Sequence, residues 1–249
     1  MIDAVRNAMR LPDLRNKILF TLFILVIYRL AAHVPVPNVD TDALRTLFGQ
    51  NQLLGFLDLF SGGALSNFSV VATGVYPYIT AQIIMQLAIG IVPQLEQIYK
   101  EGDAGRARIN RWTHLLTIPM AALQAFGQAF LLTQANPPVL TKFGFQQFPL
   151  ETLSVIITLT AGTVFAIWLG ELISEQGIGS GISIIIFGGI VAGIPQRVGQ
   201  MLTTNPVQML FFVGVSVVTI VGIIFIQEGH RRIPVQYARS VFRGGRMYR

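Results

Sequence analysis

Few residues in this chain could do covalent chemistry, and their spacing argues against it. There is no cysteine, so disulfides, thiolate metal ligands and cysteine nucleophiles are absent. His33, His114 and His230 are scattered with no i,i+4 pair for a metal, so no metal or other cofactor is expected. Ser180 with His114 as base would be the ingredients of an intramembrane serine protease, but no oxyanion device is legible. Gly177-Ile178-Gly179-Ser180-Gly181 contains GxGxG, yet a dinucleotide fingerprint must follow a strand. Here it joins two apolar segments, and a tight turn is the expectation. A small-solute secondary transporter is the alternative function. It needs a charged or strongly polar midplane site, and Arg29, Asp58 and Glu171 all fall near segment ends. Catalysis is not expected.

The elements that carry these residues are those of a membrane protein. Of 249 residues, 52% are hydrophobic and only 12% charged, about half the roughly 25% charge of an average soluble domain. Such a composition excludes disorder. Apolar blocks of about 18 residues or more can cross a hydrocarbon core roughly 30 Å thick. The blocks are Ile18–Val36, Phe68–Val92, Trp112–Leu132, Leu153–Leu172, Ile182–Ile194 and Val207–Ile226. Phe68–Val92 carries Pro77, and Ile182–Ile194 spans only by running past Pro195. The expectation is an all-α, polytopic bundle of six helices.

Lys and Arg set the orientation. With six spans both ends of the chain share one side, which holds 14 of them, against Arg45, Lys142 and Arg197 on the other. Both ends are therefore expected in the cytosol. Met1–Ala32 has the outline of a signal peptide, but Asp3 and Asp13 in its basic flank and five further apolar blocks favour an uncleaved first helix. Arg29 lies toward the outer end of that helix, so its side chain is expected to snorkel to the interface.

Leu53–Asn67 is apolar enough to enter a membrane yet too short to cross, and it contains Asp58 and the helix-breaking Gly62–Gly63. An interfacial loop is the plainer reading. The sharper one is a re-entrant half-helix, since non-helical backbone is allowed at membrane depth only where protein or a water cavity covers it.

Five blocks in order carry a resemblance. They are Phe60-Ser61-Gly62-Gly63-Ala64-Leu65-Ser66 leading into Gly74-Val75-Tyr76-Pro77-Tyr78-Ile79; Lys100-Glu101-Gly102; Trp168-Leu169-Gly170-Glu171; Gly177 to Phe187; and Arg231 to Arg239. Together they resemble the SecY family of channel subunits of the Sec protein translocase, over essentially the whole chain. The resemblance implies a non-enzymatic, protein-conducting channel of the cytoplasmic membrane, built from two inverted five-helix halves. Residues 1–200 would be one half, and 201–249 the sixth helix with a basic cytosolic loop. The family has ten spans, so the second half is expected to be truncated here.

In the family the re-entrant segment is a plug, which maps to about Leu53–Asn67 and includes Phe60, Ser61, Gly62, Gly63, Ala64, Leu65 and Ser66. The pore constriction maps to Val75 and Ile79, and to Ile182 and Ile186, each pair on one helix face by its i,i+4 spacing. Branched apolar side chains there would make a dry, deformable gasket. Gln82 and Gln86, also i,i+4, would face the lateral gate, with Gln86 the better match. Plain helix–helix hydrogen bonding, averaging roughly 0.6 kcal/mol, is the other reading of that amide pair.

Gly229–Arg249 carries six Arg and no acid. Any such loop is drawn to anionic lipid at about 1 kcal/mol per basic residue. The resemblance adds docking of the ribosome, through RNA near its exit tunnel, or of the motor ATPase SecA. Arg231, Arg232 and Arg239 occupy the matching motif, and Arg106 and Arg108, with Lys100 and Arg111, form a second candidate. It further implies SecE and SecG subunits and, as clients, signal sequences and nascent chains.

Overall fold

A computed structural model describes residues 11–50, 63–135, 138–140, 142–204, 206–229, 241–243 and 246–248. The elements in order are α1 (Pro12–Ala31), α2 (Thr41–Gln50), α3 (Tyr76–Ile91), α4 (Pro93–Lys100), α5 (Asp103–Thr133), α6 (Pro149–Gln176), α7 (Gly181–Thr204) and α8 (Pro206–Gln227). Two three-residue strands, β1 (Val241–Arg243) and β2 (Arg246–Tyr248), pair antiparallel with Val241 opposite Tyr248. Apart from that hairpin the described regular structure is helical.

Proline and aspartate set several helix starts. Pro12, Pro77, Pro93 and Pro149 each sit in the first turn of a helix, where the missing N–H has no partner to lose. Pro77 thus begins α3 where the sequence suggested an interruption, and Phe68–Val75 ahead of it is a run of turns. Pro119 and Pro195 lie inside α5 and α7, so the seventh helix does run past its proline. Asp40 caps α2: its Oδ1 accepts from the backbone N–H of Asp42 at 3.0 Å and of Ala43 at 3.1 Å. This helix was not anticipated from sequence; it buries Ala43, Leu44 and Leu47.

Among the described residues three helices, α5, α6 and α8, are each long and apolar enough to cross a membrane. A fourth span would be α3 with α4, which are bent by 101° at Val92–Pro93. α1 is 20 residues long but carries Asp13, Arg15, Lys17 and Arg29.

The chain divides into two compact units, Met1–Pro195 and Gln196–Arg249. In the second unit α8 presents large apolar side chains from Leu210 to Ile226 without cover. In the first, α5 packs against α3 and α6, and α1 packs against α6. One core gathers Phe68, Ala72, Ala125, Ala129, Val155 and Leu159, and a second gathers Ile24, Tyr28, Ala64, Val75, Leu169 and Ile185.

The turns between residues 63 and 75 are the least regular part of these cores, and glycine makes their packing possible. A Cβ on Gly162 of α6 would fall 1.8 Å from the Val70 carbonyl oxygen. At the neighbouring turn of α6, the Thr163 and Thr73 hydroxyls, both buried, share a hydrogen bond of 2.6 Å. Gly162→Ala should therefore force the backbones apart. Overpacking costs about 1–3 kcal/mol, a fall of roughly 3–10 °C in the midpoint for a chain of this size. Thermal unfolding in detergent is the check, with Gly222→Ala, where nothing lies within 4 Å, as the control whose midpoint should not fall.

Candidate functional site

α6 and α7 meet in a hairpin whose turn is the glycine-rich stretch. Gly179 has φ +68°, and a Cβ on Gly181 would stand 1.8 Å from the Gly170 carbonyl oxygen. The Gly181 N–H donates to Ser174 Oγ at 2.9 Å, and that hydroxyl donates on to the Gly170 carbonyl at 3.0 Å. The close crossing swings the first turns of α7 toward α3. As a result Ile79, Ile182 and Ile186 line one cavity of about 510 Å³, together with Gln82. Its other walls are polar: Tyr78, Asn110, Ser174, Ser180, Ser183 and the carboxylates Glu171 and Glu175.

Val75 is the odd member of the four branched positions. It is 4% exposed and belongs to the core against which Ile79, Ile182 and Ile186 pack. Ala64, fully buried, belongs to the same core. Gly63 has φ +84°, and its carbonyl accepts from Ser66 Oγ and Asn67 Nδ2, each at 3.1 Å. So the Gly63–Ser66 end of the suspected plug is a braced turn in the core that holds Val75. Phe60, Ser61, Gly62 and the rest of Leu53–Gly62 lie outside the described residues.

A second groove of about 370 Å³ runs between α3, α4 and α5, lined by Gln82, Met85, Gln86, Tyr99, Arg106 and Asn110 among others. Gln82 borders both spaces. The Arg106 guanidinium lies 5.4 Å from the Tyr99 ring centroid, a cation–π contact at the groove. Arg108 Nη1 is 3.5 Å from Glu101 Oε2, with both side chains about half exposed, an arrangement worth little to stability. Arg231, Arg232, Arg239 and Asp58 lie outside the described residues.

Ser180 and His114 turn to different partners. Ser180 Oγ accepts from Ser183 Oγ at 3.2 Å. His114 Nε2 stands 3.2 Å from Glu171 Oε1, close enough for an ion pair when the ring is protonated but too oblique for a hydrogen bond. The Tyr78 ring meets the His114 ring edge-on with centroids 5.4 Å apart, so His114 of α5 touches both Tyr78 of α3 and Glu171 of α6.

Sequence reasoning named Glu171, Ser180 and Gln82 for other roles but did not bring them together as the polar walls of a cavity, and it passed over Glu175. Glu171 and Glu175 are i,i+4 on α6, which was enough to put both on one face. It also missed Gln124 and Gln128, an i,i+4 pair like Gln82 and Gln86. Their Oε1 atoms are buried on α5 without a hydrogen-bond partner, and a buried amide oxygen left unpaired is costly.

A helical membrane protein with short and bent segments around a mixed polar and apolar cavity is a channel or transporter by class. The sequence profile of the SecY family matches residues 69–248. The chain is 40% identical over 257 residues to the protein translocase subunit SecY of Thermotoga maritima, covering 100% of this chain and 59% of that one. It is 42% identical over 253 residues to the subunit of the same name from Bacillus licheniformis, covering 96% and 58%. This chain belongs to the SecY family, as a multi-pass membrane protein. It spans a little under three fifths of the length of those two relatives. Among solved structures, the fold is similar to Sec61 in a canine ribosome–channel complex from the endoplasmic reticulum. That match has a TM-score of 0.55 and 20% identity, over 90% of this chain and 50% of that one. A second likeness is to a protein-conducting channel, with TM-score 0.54 and 21% identity over 83% and 47% of the two chains.

Because the chain has no cysteine, single cysteines report directly on whether the cavity is wet. Ser183→Cys, in the polar wall, should react quickly with a membrane-impermeant maleimide added on the side that carries Lys100 and Arg108. Ile157→Cys, on an apolar α6 face and 57% exposed, should stay unlabelled in a bilayer.

Proposed function

We propose that this chain supplies one wall of a protein-conducting channel, through which unfolded polypeptide crosses or enters the cytoplasmic membrane. What supports the reading most is the convergence of Ile79, Ile182 and Ile186 from two helices on one cavity with polar walls on its other sides. Such a vestibule keeps an extended chain solvated up to the point where branched apolar side chains close the path. Those side chains offer a passing polypeptide no fixed hydrogen bonds, and they exclude ions by dewetting. In this reading residues 1–200 form one half of the channel and six helices cross the membrane. The ends of the chain are cytosolic, and the facing half completes the pore.

The segment around Phe60–Ser66 acts as the plug, and the braced turn at Gly63 is its anchored end. Gln82 and Gln86 face the lateral gate, where their amides bond to a facing helix. A signal sequence that displaces that helix must replace weak amide bonds, not a dry seam. Arg231, Arg232, Arg239, Arg106 and Arg108 dock cytosolic partners, the ribosome or SecA. SecE and SecG complete the membrane assembly, and anionic lipid neutralises the remaining basic face.

Two tests follow. A chimaera in which this chain replaces the matching part of Thermotoga maritima SecY keeps the whole chain in a full-length channel. Ile79→Ser with Ile186→Ser in that chimaera should raise ion leak through reconstituted vesicles several-fold and admit substrates with defective signal sequences. Unchanged leak and selectivity would remove both positions from the constriction. Charge reversal at Arg231 and Arg232 should weaken binding of ribosomes or SecA to proteoliposomes, most at low salt, while membrane insertion persists. Equal affinity across salt would leave that loop a topological role only.

A further inference from the structure

The first span holds an arginine that neither topology nor partner docking uses. Arg29 lies in the last turn of α1, where the unpaired carbonyls of a helix end favour a cation. Its own carbonyl is taken by His33 Nδ1 at 2.8 Å. An arginine near a helix end can also snorkel to the interface without any protein partner. The sequence suggested the interface; the structure gives a definite neighbour. A Cβ on Gly63 would stand 3.6 Å from Arg29 Nη1 and 3.9 Å from Nη2. The guanidinium thus lies against the bare backbone of Gly63, whose φ of +84° already disfavours any side chain.

Next to it the chain is stiff. Ser66 and Asn67 both donate to the Gly63 carbonyl, the Phe68 N–H donates to the Leu65 carbonyl at 3.0 Å, and the Ser69 N–H donates to the Ala64 carbonyl at 2.9 Å. Ala64 is fully buried in the core that contains Tyr28, the residue before Arg29, and Val75. A turn braced in this way moves as one body, so a rigid planar group packed against its first residue can set where the whole turn sits.

We propose that Arg29 is a positioning residue, whose guanidinium holds the Gly63–Asn67 turn in the core it shares with Val75 and so favours the closed channel. The inference rests on the plug reading above and assigns the residue that sets it. In that role Lys is a poor substitute, because an ammonium is a point charge without the planar fork.

The test uses the Thermotoga maritima chimaera with other cysteines removed and Leu65→Cys as the reporter. Arg29→Gln should speed maleimide labelling at residue 65 from the outer side by roughly tenfold, the factor that about 1.4 kcal/mol of lost contact carries. It should also raise ion leak, with Arg29→Lys intermediate in both. Arg29→Gln and Gly63→Ala should be non-additive, as expected of two groups acting through one contact. Protease protection confirms insertion, and if the Gln variant does not accumulate, the Lys variant decides by the same readouts. Labelling and leak unchanged in an inserted Arg29 variant, or additive effects of the two substitutions, would overturn the inference. Replacing Gly63 and Ala64 with Trp separates the failures. If those variants leak and Arg29→Gln does not, the plug stands and the role of Arg29 falls. If neither leaks, the plug assignment falls with it.

Discussion

Everything in the first unit depends on one constraint: buried backbone without a helix must still pair its polar groups. The stretch from residue 63 to 75 meets it by borrowing partners. The Val36 N–H donates to the Phe68 carbonyl at 3.0 Å and the Val70 N–H to the Val34 carbonyl at 2.9 Å. The Ala72 and Gly74 N–H groups reach back to Ser69 and Val71, and Thr73 finds Thr163. Satisfied in this way, irregular backbone can sit between helices where lipid never touches it. The core that this stretch helps to build is the one against which Ile79, Ile182 and Ile186 pack, and those three side chains form the apolar side of the cavity.

The same constraint explains where glycine is required. Gly162, Gly170 and Gly181 mark backbone-to-backbone contacts, at Val70 and between α6 and α7. These contacts bring α3 and α7 to the same space, and the side chains at 79, 182 and 186 inherit their convergence from them. By contrast Gly222 in α8 has open surroundings. A glycine count in the sequence does not separate the two kinds.

Apolar length was the most legible feature, and it locates α5, α6 and α8 to within a few residues at the apolar end. It placed the boundaries less well where charge or turn chemistry decides. α5 begins at Asp103, nine residues ahead of the apolar block, because Arg106, Arg108 and Arg111 extend a helix that composition alone would end. α3 begins late, since Phe68 and Gly74 take positive φ values of 38° and 58°. α2 was missed because its apolar face is Ala43, Leu44, Leu47 and the partly buried Phe48, too short a stripe to stand out beside long apolar blocks. At the site, the branched pairs were legible only through resemblance. As isolated i,i+4 pairs they look like any lipid-facing stripe. Of the two carboxylates only Glu171 was read from the sequence, as an ionisable residue near a segment end, because a side chain there has no partner in sequence to show that it faces a cavity.

The bend after Ile91 has a mechanical consequence for the surrounding bilayer. α3 has 16 residues, about 24 Å of helix at 1.5 Å per residue, against a hydrocarbon layer roughly 30 Å thick. Beyond Pro93 the chain turns by 101°, so no further helix continues along the same axis. The shortfall at the other end is filled by turns that protein covers. In the proposed channel, lipid that reaches Ile83, Leu87 and Ile91, all more than half exposed, would meet a helical wall shorter than the hydrocarbon layer and would thin to match it. Thinning carries a cost for each ångström of mismatch, so acyl-chain length becomes a variable that acts on this face and leaves α5 and α6, at 31 and 28 residues, untouched.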